Sequence, residues 1–255
     1  MAAEKTAQLL RIMERLRKEC PWDAKQTHHS LKPYLLEETY EVLETIDGEE
    51  WDKLAGELGD LLLQIVFHST IAEEEGLFDF AEVAERISNK LIERHPHVFG
   101  DKTIHDAKSV QENWEHSKVK NEDRQSILSG VPRAMPALLQ AQRLQEKAAT
   151  VGFDWGELQP VIAKIDEEWN EFKTAVEKGN LLNAQEEFGD VLFSMVNISR
   201  FIGINAEDAL RNTSQKFIRR FSHIEKQYNS NPQAMKEAGL EELDRHWNDA
   251  KDVTR

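Results

Sequence analysis

The sequence predicts an all-α fold. Its 255 residues contain only 12 glycines and 7 prolines, and the alternation of apolar and polar residues that is typical of strands is scarce. Apolar residues recur instead at helical spacing, as in Leu9, Ile12, Met13 and Leu16 of the first segment. These observations favour long helices with few interruptions.

Four amphipathic helices are predicted in the first half of the chain. Their boundaries follow from capping residues, from glycine and from proline. Helices of this number and length are typical of a helical bundle. The predicted boundaries are an end near Cys20-Pro21, a cap at Ser30, an end at Asp47-Gly48, a third helix from about Glu50 to Glu74, and a cap at Asp79.

The two halves of the chain contain the same acidic pattern. Residues 36–41, LEETYE, match residues 166–171, DEEWNE, and residues 56–66, GELGDLLLQIV, match residues 186–196, EEFGDVLFSMV. The two motifs are separated by the same interval in both halves, which chance seldom preserves. The sequence therefore predicts two tandem repeats of one helical unit.

A change in composition predicts where the repeats join. Gly130 and Pro132 lie in a short segment that favours a turn or a loop over a helix. We expect an N-terminal helical domain over residues 1–125, a linker over residues 126–132 and a C-terminal helical domain over residues 133–255.

Composition also restricts the classes of function. A net charge of −15 argues against nucleic acid and anionic membranes as partners, because both require a basic surface. No apolar run approaches the roughly 18 residues needed to cross a bilayer, and the N-terminal segment is too highly charged for a signal peptide. With the single cysteine, Cys20, these features predict a cytoplasmic protein without disulfides.

The repeated motifs place acidic side chains in pairs. In E-x-x-E and E-x-x-D, the two carboxylates lie about one turn apart on a helix and face the same direction. Two antiparallel helices would aim four carboxylates at one point, and we expect the glycine beside each aspartate to allow close approach. The candidate residues are Glu38, Glu41, Glu57 and Asp60 in the first repeat, and Glu168, Glu171, Glu187 and Asp190 in the second.

Clustered carboxylates require a cation. At about 5 Å, two carboxylates repel by roughly 3 kcal/mol at an effective dielectric constant near 20. A hard divalent ion removes this repulsion, and an all-oxygen ligand set favours Mg²⁺, Mn²⁺ or Ca²⁺ over zinc. We therefore expect magnesium, with manganese as an alternative. Solvent-exposed helix faces without a metal are the other interpretation of such acids.

A basic pair follows each acidic group. Lys90 and Arg94 are four residues apart on the predicted fourth helix, and Lys216 and Arg220 have the same spacing in the second half. A metal on one side and cations on the other would clamp a polyphosphate.

Several segments together resemble the MazG family of nucleoside triphosphate pyrophosphohydrolases. They are CPWDAKQTHHSLKPYLLEETYEVLE, GELGDLLLQIVFHS, KLIERHPHVFG and VGFDW, and the resemblance covers nearly the entire chain. It implies a dimerising helical bundle that holds Mg²⁺ through the E-x-x-E and E-x-x-D motifs and converts nucleoside triphosphates to monophosphate and pyrophosphate.

The resemblance also implies roles for individual residues. It assigns metal binding to both sets of four acids, and catalysis to Glu168, Glu171, Glu187 and Asp190. It implies triphosphate contacts from Lys164, Lys216 and Arg220, a nucleotide contact from Trp247, and corresponding positions at Lys90 and Arg94. Tyr34 replaces the lysine in the first repeat, so we expect the second repeat to perform the chemistry.

Two other functions are compatible with the same motifs. A metal-dependent sensor would bind nucleoside triphosphates without hydrolysing them. A structural dimerising bundle would leave the repeated acids in solvent and bind no nucleotide.

Overall fold

The computed structural model describes residues 1–100 and 126–253, and these residues form helices and turns without any β-strand. The prediction of an all-α fold is confirmed. The chain divides into two compact units, Met1–Val110 and Gln111–Arg255, called unit 1 and unit 2 below.

Unit 1 is built around a pair of helices joined by a three-residue turn. These helices, α2 and α3, pack along each other, and α1 and α4 contact α3. Such a short connection makes α2 and α3 antiparallel neighbours. The helices are α1 (Ala2–Glu19), α2 (Lys32–Asp47), α3 (Trp51–Glu74), α4 (Phe80–Arg94) and the short α5 (Pro96–Phe99), with a 3₁₀ turn at Asp23–Lys25.

Unit 2 contains the same central pair. Here α7 and α8 pack along each other, α6 and α9 contact α8, and α10 packs against α9. Gly239 interrupts α10 with a φ of 75°, a backbone conformation that glycine adopts without strain. The helices are α6 (Ala137–Ala149), α7 (Leu158–Glu177), α8 (Leu181–Phe201), α9 (Ala206–Gln227) and α10 (Pro232–Val253).

Equivalent residues form the interior of the two units. Leu31 and Val161 are each 1% exposed, and Val66 and Val196 are 0% and 1% exposed. Each residue of unit 1 lies 130 positions before its counterpart, which is the interval between the acidic motifs of the two repeats. The two helix pairs are therefore held in the same register, as expected for a tandem repeat.

The predicted helix cap at Asp79 is present, and Asn205 caps the corresponding helix of unit 2. The side chain of Asp79 accepts a hydrogen bond from the backbone N–H of Glu82 at 2.8 Å, and Asn205 accepts one from the N–H of Asp208 at 3.2 Å. These contacts satisfy N–H groups that have no partner within the helix.

The prediction of Ser30 as a helix cap is wrong. The second helix begins at Lys32 and has no side-chain cap. The Ser30 hydroxyl is engaged in the preceding turn, where it donates to Oε1 of Gln26 at 2.7 Å and accepts from the N–H of Thr27 at 2.9 Å. Serine favours turns as well as caps, and here the turn takes its hydroxyl.

The predicted domain boundaries remain a prediction. The end of the expected first domain, residues 101–125, lies outside the described residues. The expected linker, residues 126–132, falls within unit 2, where Nζ of Lys147 donates a hydrogen bond to the carbonyl oxygen of Ile127 at 3.3 Å.

Among the described helices, none combines the length and the apolar composition that crossing a bilayer would require.

Candidate active site

The central helix pair of each unit brings three carboxylates together. In unit 1 these are Glu38 and Glu41 of α2 and Glu57 of α3, with one oxygen from each lying within 4.8 Å of the others. In unit 2 the corresponding carboxylates are those of Glu168, Glu171 and Glu187, with the same spacing. The E-x-x-E spacing places two acids one turn apart on a helix, and the antiparallel partner supplies the third.

The fourth predicted acid of each set lies close by without joining the group of three. Asp60 is near enough for its charge to raise the pKa of Glu38. Asp190 is exposed and lies beside Glu168 in the wall of a cavity described below. Each aspartate is one turn after the last glutamate of its group, so it extends the acidic face along the helix.

In unit 1 the pKa of Glu38 is raised by its surroundings. Loss of hydration is the main cause of the raised pKa of Glu38, and the charges of Asp60 and Glu41 raise it further. Like charges that cannot separate favour a proton or a bound cation.

In unit 2 a lysine lies against the group. Nζ of Lys164 is 2.6 Å from Oε1 of Glu168 and 2.9 Å from Oε1 of Glu167. These hydrogen bonds raise the pKa of Lys164, so the ammonium remains charged. Glu168 is only 7% exposed, and the lysine compensates a carboxylate that has lost most of its hydration.

Lys164 does not neutralise the entire group. The pKa of Glu171 is raised, first by loss of hydration and then by the charges of Glu187 and Glu168. The carboxylate of Glu187 also accepts a hydrogen bond from Nδ2 of Asn183 at 3.2 Å. Asn183 lies one turn before Glu187 on α8 and fixes the direction of its carboxylate.

The residues present fit a hard divalent cation. The donors are carboxylate oxygens only, and their spacing allows three of them to contact one ion, as Mg²⁺ and Mn²⁺ prefer. Glu38, Glu41 and Glu57 would hold an ion in unit 1. Glu168, Glu171 and Glu187 would hold one in unit 2.

The repeats differ at the position of the lysine. Tyr34 occupies the equivalent position in unit 1, and its ring packs edge-on against Trp22, with ring centroids 5.9 Å apart. Tyr34 supplies no positive charge, so the acids of unit 1 lack the counter-charge that Lys164 provides in unit 2.

The predicted basic pairs lie on α4 and α9. Lys90 is exposed, whereas Arg94 is 8% exposed. Lys216 is exposed, and Cζ of Arg220 lies 5.6 Å from the centre of the Trp247 ring. Within residues 1–100 and 126–253, neither Lys216 nor Arg220 forms an ion pair, so both remain available to an anion.

The sequence predicted that the glycine beside each aspartate, Gly59 or Gly189, allows another segment to approach closely. Within the described chain this prediction is wrong. A Cβ added to Gly59 or Gly189 would meet no heavy atom within 4 Å, apart from the backbone of its own helix. Both glycines lie on exposed parts of their helices, where no described segment of the chain approaches them.

The sequence analysis did not identify two features of the site. The contact from Asn183 to Glu187 has a detectable signal, since side chains four residues apart meet on a helix. The second feature is a cavity beside Glu168 and Asp190 that also includes Gln145 and Asn197. These two amides belong to different helices, and helical periodicity carries no signal for their proximity.

The fold and the site define a class of protein: an all-α tandem repeat in which each unit carries a carboxylate group suited to a divalent cation. The sequence model described as "MazG nucleotide pyrophosphohydrolase domain" matches twice, at residues 26–99 and 157–225. The chain belongs to the MazG family.

Three relatives match over more than nine tenths of this chain. A protein named nucleoside triphosphate pyrophosphohydrolase/pyrophosphatase MazG from Thermotoga maritima is 45% identical over 248 residues, covering 96% of this chain and 94% of the relative. A nucleoside triphosphate pyrophosphohydrolase from Escherichia coli K12 is 43% identical over 256 residues, covering 95% of each. An uncharacterized protein from Bacillus subtilis is 46% identical over 239 residues, covering 92% of this chain and 49% of the relative.

The carboxylate groups generate a prediction about metal binding. Isothermal titration calorimetry with Mn²⁺ should detect one binding site in each unit of the wild-type chain. Glu187→Gln should weaken one of these sites roughly tenfold or more, because it removes a charged ligand. The control is Glu186→Gln, an exposed neighbour on α8 outside the group of three. Equal affinities in the two variants would show that the group of three is not the metal site.

Proposed function

We propose that the protein hydrolyses nucleoside triphosphates to nucleoside monophosphate and pyrophosphate, and that the reaction depends on Mg²⁺, with Mn²⁺ as a substitute. The observation that carries the proposal is the carboxylate group of unit 2 with Lys164 against it. Membership of the MazG family and the names of the relatives from Thermotoga maritima and Escherichia coli support it.

The proposed roles divide between metal binding and phosphate binding. The metal ligands are Glu168, Glu171, Glu187 and Asp190 in unit 2, and Glu38, Glu41, Glu57 and Asp60 in unit 1. The same four acids of unit 2 are the catalytic residues. Lys164, Lys216, Arg220 and Trp247 bind the nucleotide, and Lys90 and Arg94 are the corresponding residues of unit 1.

The chemistry requires neutralised phosphates and an activated water. A bound divalent ion supplies charge neutralisation to phosphate oxygens. Lys164 holds Glu168 in place and adds a positive charge on the phosphate side of the group. Lys216 and Arg220 form no ion pair in the described part of the chain, so they can bind phosphate oxygens without first breaking one. A glutamate of the group orients the attacking water and accepts its proton.

Unit 2 is the proposed catalytic unit. It has Lys164 where unit 1 has Tyr34, so only unit 2 places an ammonium beside its acids at this position. Removing one preorganised electrostatic contact from such a site typically costs roughly 3 to 4 kcal/mol of transition-state stabilisation.

We also propose that the protein forms a homodimer. The α8 residues Phe188, Leu192 and Met195 are exposed and lie on one face of the helix. Their equivalents on α3, 130 positions earlier, are exposed as well: Leu58, Leu62 and Ile65. Exposed apolar stripes of this kind mark surfaces that are covered in an assembly.

The partners and the location follow from charge and composition. The net charge of −15 supports the proposal that neither nucleic acid nor a membrane is a partner. The single cysteine, Cys20, is unpaired and supports a proposed location in the reducing cytoplasm.

Product analysis tests the proposed reaction. Incubation with mixed nucleoside triphosphates and Mg²⁺ should release pyrophosphate and monophosphate in equal amounts, and excess chelator should stop the release. Orthophosphate as the first product would contradict the proposal. Binding without any release would identify a nucleotide sensor, and neither binding nor release would identify a structural protein.

Matched substitutions test which unit is catalytic. Glu187→Gln should abolish most pyrophosphate release, whereas Glu57→Gln should leave a large fraction, because only unit 2 combines its acids with Lys164. Both substitutions preserve side-chain shape, and circular dichroism can verify folding. The reverse pattern would assign catalysis to unit 1, and comparable partial losses would mean that both units work.

Light scattering tests the proposed dimer. We expect a particle of twice the chain mass of 29.4 kDa at micromolar concentrations. Replacement of Leu192 by lysine should shift the equilibrium towards the single chain, because it places a charge in the exposed apolar stripe. A particle of 29.4 kDa for the wild-type protein across this range would contradict the proposal.

A further inference from the structure

Unit 2 contains a cavity of about 400 Å³ beside the acids. It lies between α6, α7 and α8, and residues 153–155 also line it. Its walls are mainly apolar and include Leu144, Val161, Phe193 and Trp155. A cavity of this size and composition is suited to a small, flat, mostly neutral group.

The cavity is continuous with the proposed phosphate site. Lys164, Glu168 and Asp190 line it, and the same residues belong to the proposed metal and phosphate site. The cavity wall thus has a charged part, at Lys164, Glu168 and Asp190, and an apolar part, and it also contains the ion pair of Arg200 and Asp154. A ligand that fills both would carry phosphates on one side and a neutral ring on the other.

Two amide side chains in the cavity wall have fixed orientations. Nε2 of Gln145 donates to the backbone carbonyl oxygen of Phe193 at 2.8 Å, and this leaves Oε1 as the remaining acceptor. Oδ1 of Asn197 accepts from Nη2 of Arg200 at 2.8 Å, and this leaves Nδ2 as the remaining donor. Gln145 and Asn197 are 8% and 7% exposed, so solvent reaches little of either side chain.

In the part of the chain that the structure describes, neither of these remaining groups is hydrogen-bonded to the protein. Oε1 of Gln145 is buried and accepts no hydrogen bond, and within the described ranges no acceptor is bonded to Nδ2 of Asn197. A buried polar atom without a partner costs about 1 to 3 kcal/mol. In an α-helix the carbonyl oxygen of Phe193 is paired with the backbone N–H of Asn197, so the Gln145 amide approaches α8 at the turn that carries Asn197, and both side chains line the cavity. Together they offer one acceptor and one donor.

The geometry points to this cavity as the binding site for the base of the nucleotide, with Gln145 and Asn197 as the residues that bind its edge. This inference rests on the proposed function. The edge of a nucleobase presents a donor next to an acceptor, which complements the two amides. Asp190 and Asn197 lie on one face of α8, seven residues or roughly 10 Å apart along its axis, so the helix presents the phosphate site and the base site in series.

The equivalent position in unit 1 is filled. Phe67, 130 positions before Asn197, is 3% exposed and packs in the core with Met13 and Leu31. The guanidinium of Arg17 lies 5.8 Å from the centre of its ring. A phenylalanine offers no amide to a base, so this base site belongs to unit 2 alone.

Steady-state kinetics with two substrates tests the inference. The first substrate is a nucleoside triphosphate, and the second is ribose 5-triphosphate, which lacks the base. Gln145→Met removes the acceptor at similar size, and Asn197→Asp keeps the contact to Arg200 while removing the donor. Each variant should raise the KM for the nucleoside triphosphate about tenfold, with little change in kcat, because the lost contact is made in the ground state as well. The KM for ribose 5-triphosphate should remain unchanged.

The control is Gln142→Met, one turn earlier on α6. Gln142 also carries a buried Oε1 without a partner, but it does not line the cavity, so its substitution should leave both KM values unchanged. An unchanged KM in the Gln145 variant, or an equal increase for both substrates, would overturn the inference. If the Asn197→Asp variant does not fold, the KM values of the Gln145→Met variant alone test the inference.

Failure of the proposed reaction can be distinguished from failure of the proposed base site. If the wild-type protein released no pyrophosphate, the proposed reaction would be wrong. Calorimetric binding of the same two compounds in the presence of Mg²⁺ would then still test the cavity. Equal affinity of the wild-type protein for both compounds would overturn the base site.

Discussion

The site in each unit depends on a pair of antiparallel helices that holds like-charged carboxylates together. Three oxygens within 4.8 Å of one another repel unless a cation or a proton intervenes, so the group forms only because the helix pair holds it. Buried residues at equivalent positions, such as Val66 and Val196, fix the register of the two pairs. The apolar packing of each unit thus maintains an arrangement that the acids alone would oppose.

The two units differ in how the charge of their carboxylates is compensated. In unit 2 the ammonium of Lys164 lies 2.6 Å from Glu168, and a buried carboxylate has a permanent counter-charge. In unit 1 Tyr34 takes that position, and the pKa of Glu38, the counterpart of Glu168, is raised by loss of hydration and by the neighbouring acids. The same scaffold therefore supports one group with a built-in cation and one group without it. This difference is the physical reason for the proposal that unit 2 is the catalytic unit.

The sequence predicted the parts of this structure that depend on periodicity. Helix type, the tandem repeat and the approach of acids such as Glu38 and Glu57 all follow from spacing along a helix. Ser30 could not be assigned in the same way, because its hydroxyl serves the preceding turn as well as it would serve a cap. The cavity escaped prediction because Gln145 and Asn197 come together through tertiary packing between α6 and α8. A few hydrogen bonds between elements leave no periodic signal.

The acids and the cavity residues lie on one side of the helix α8, and the exposed apolar stripe lies on another. At 100° per residue, Glu187 and Asp190 share one side of the helix with Asn197, whereas Phe188 and Leu192 point to a different side. The acids and the cavity therefore form a continuous face within unit 2, and the exposed apolar stripe lies away from it. The proposed association through the stripe would therefore leave the cavity open.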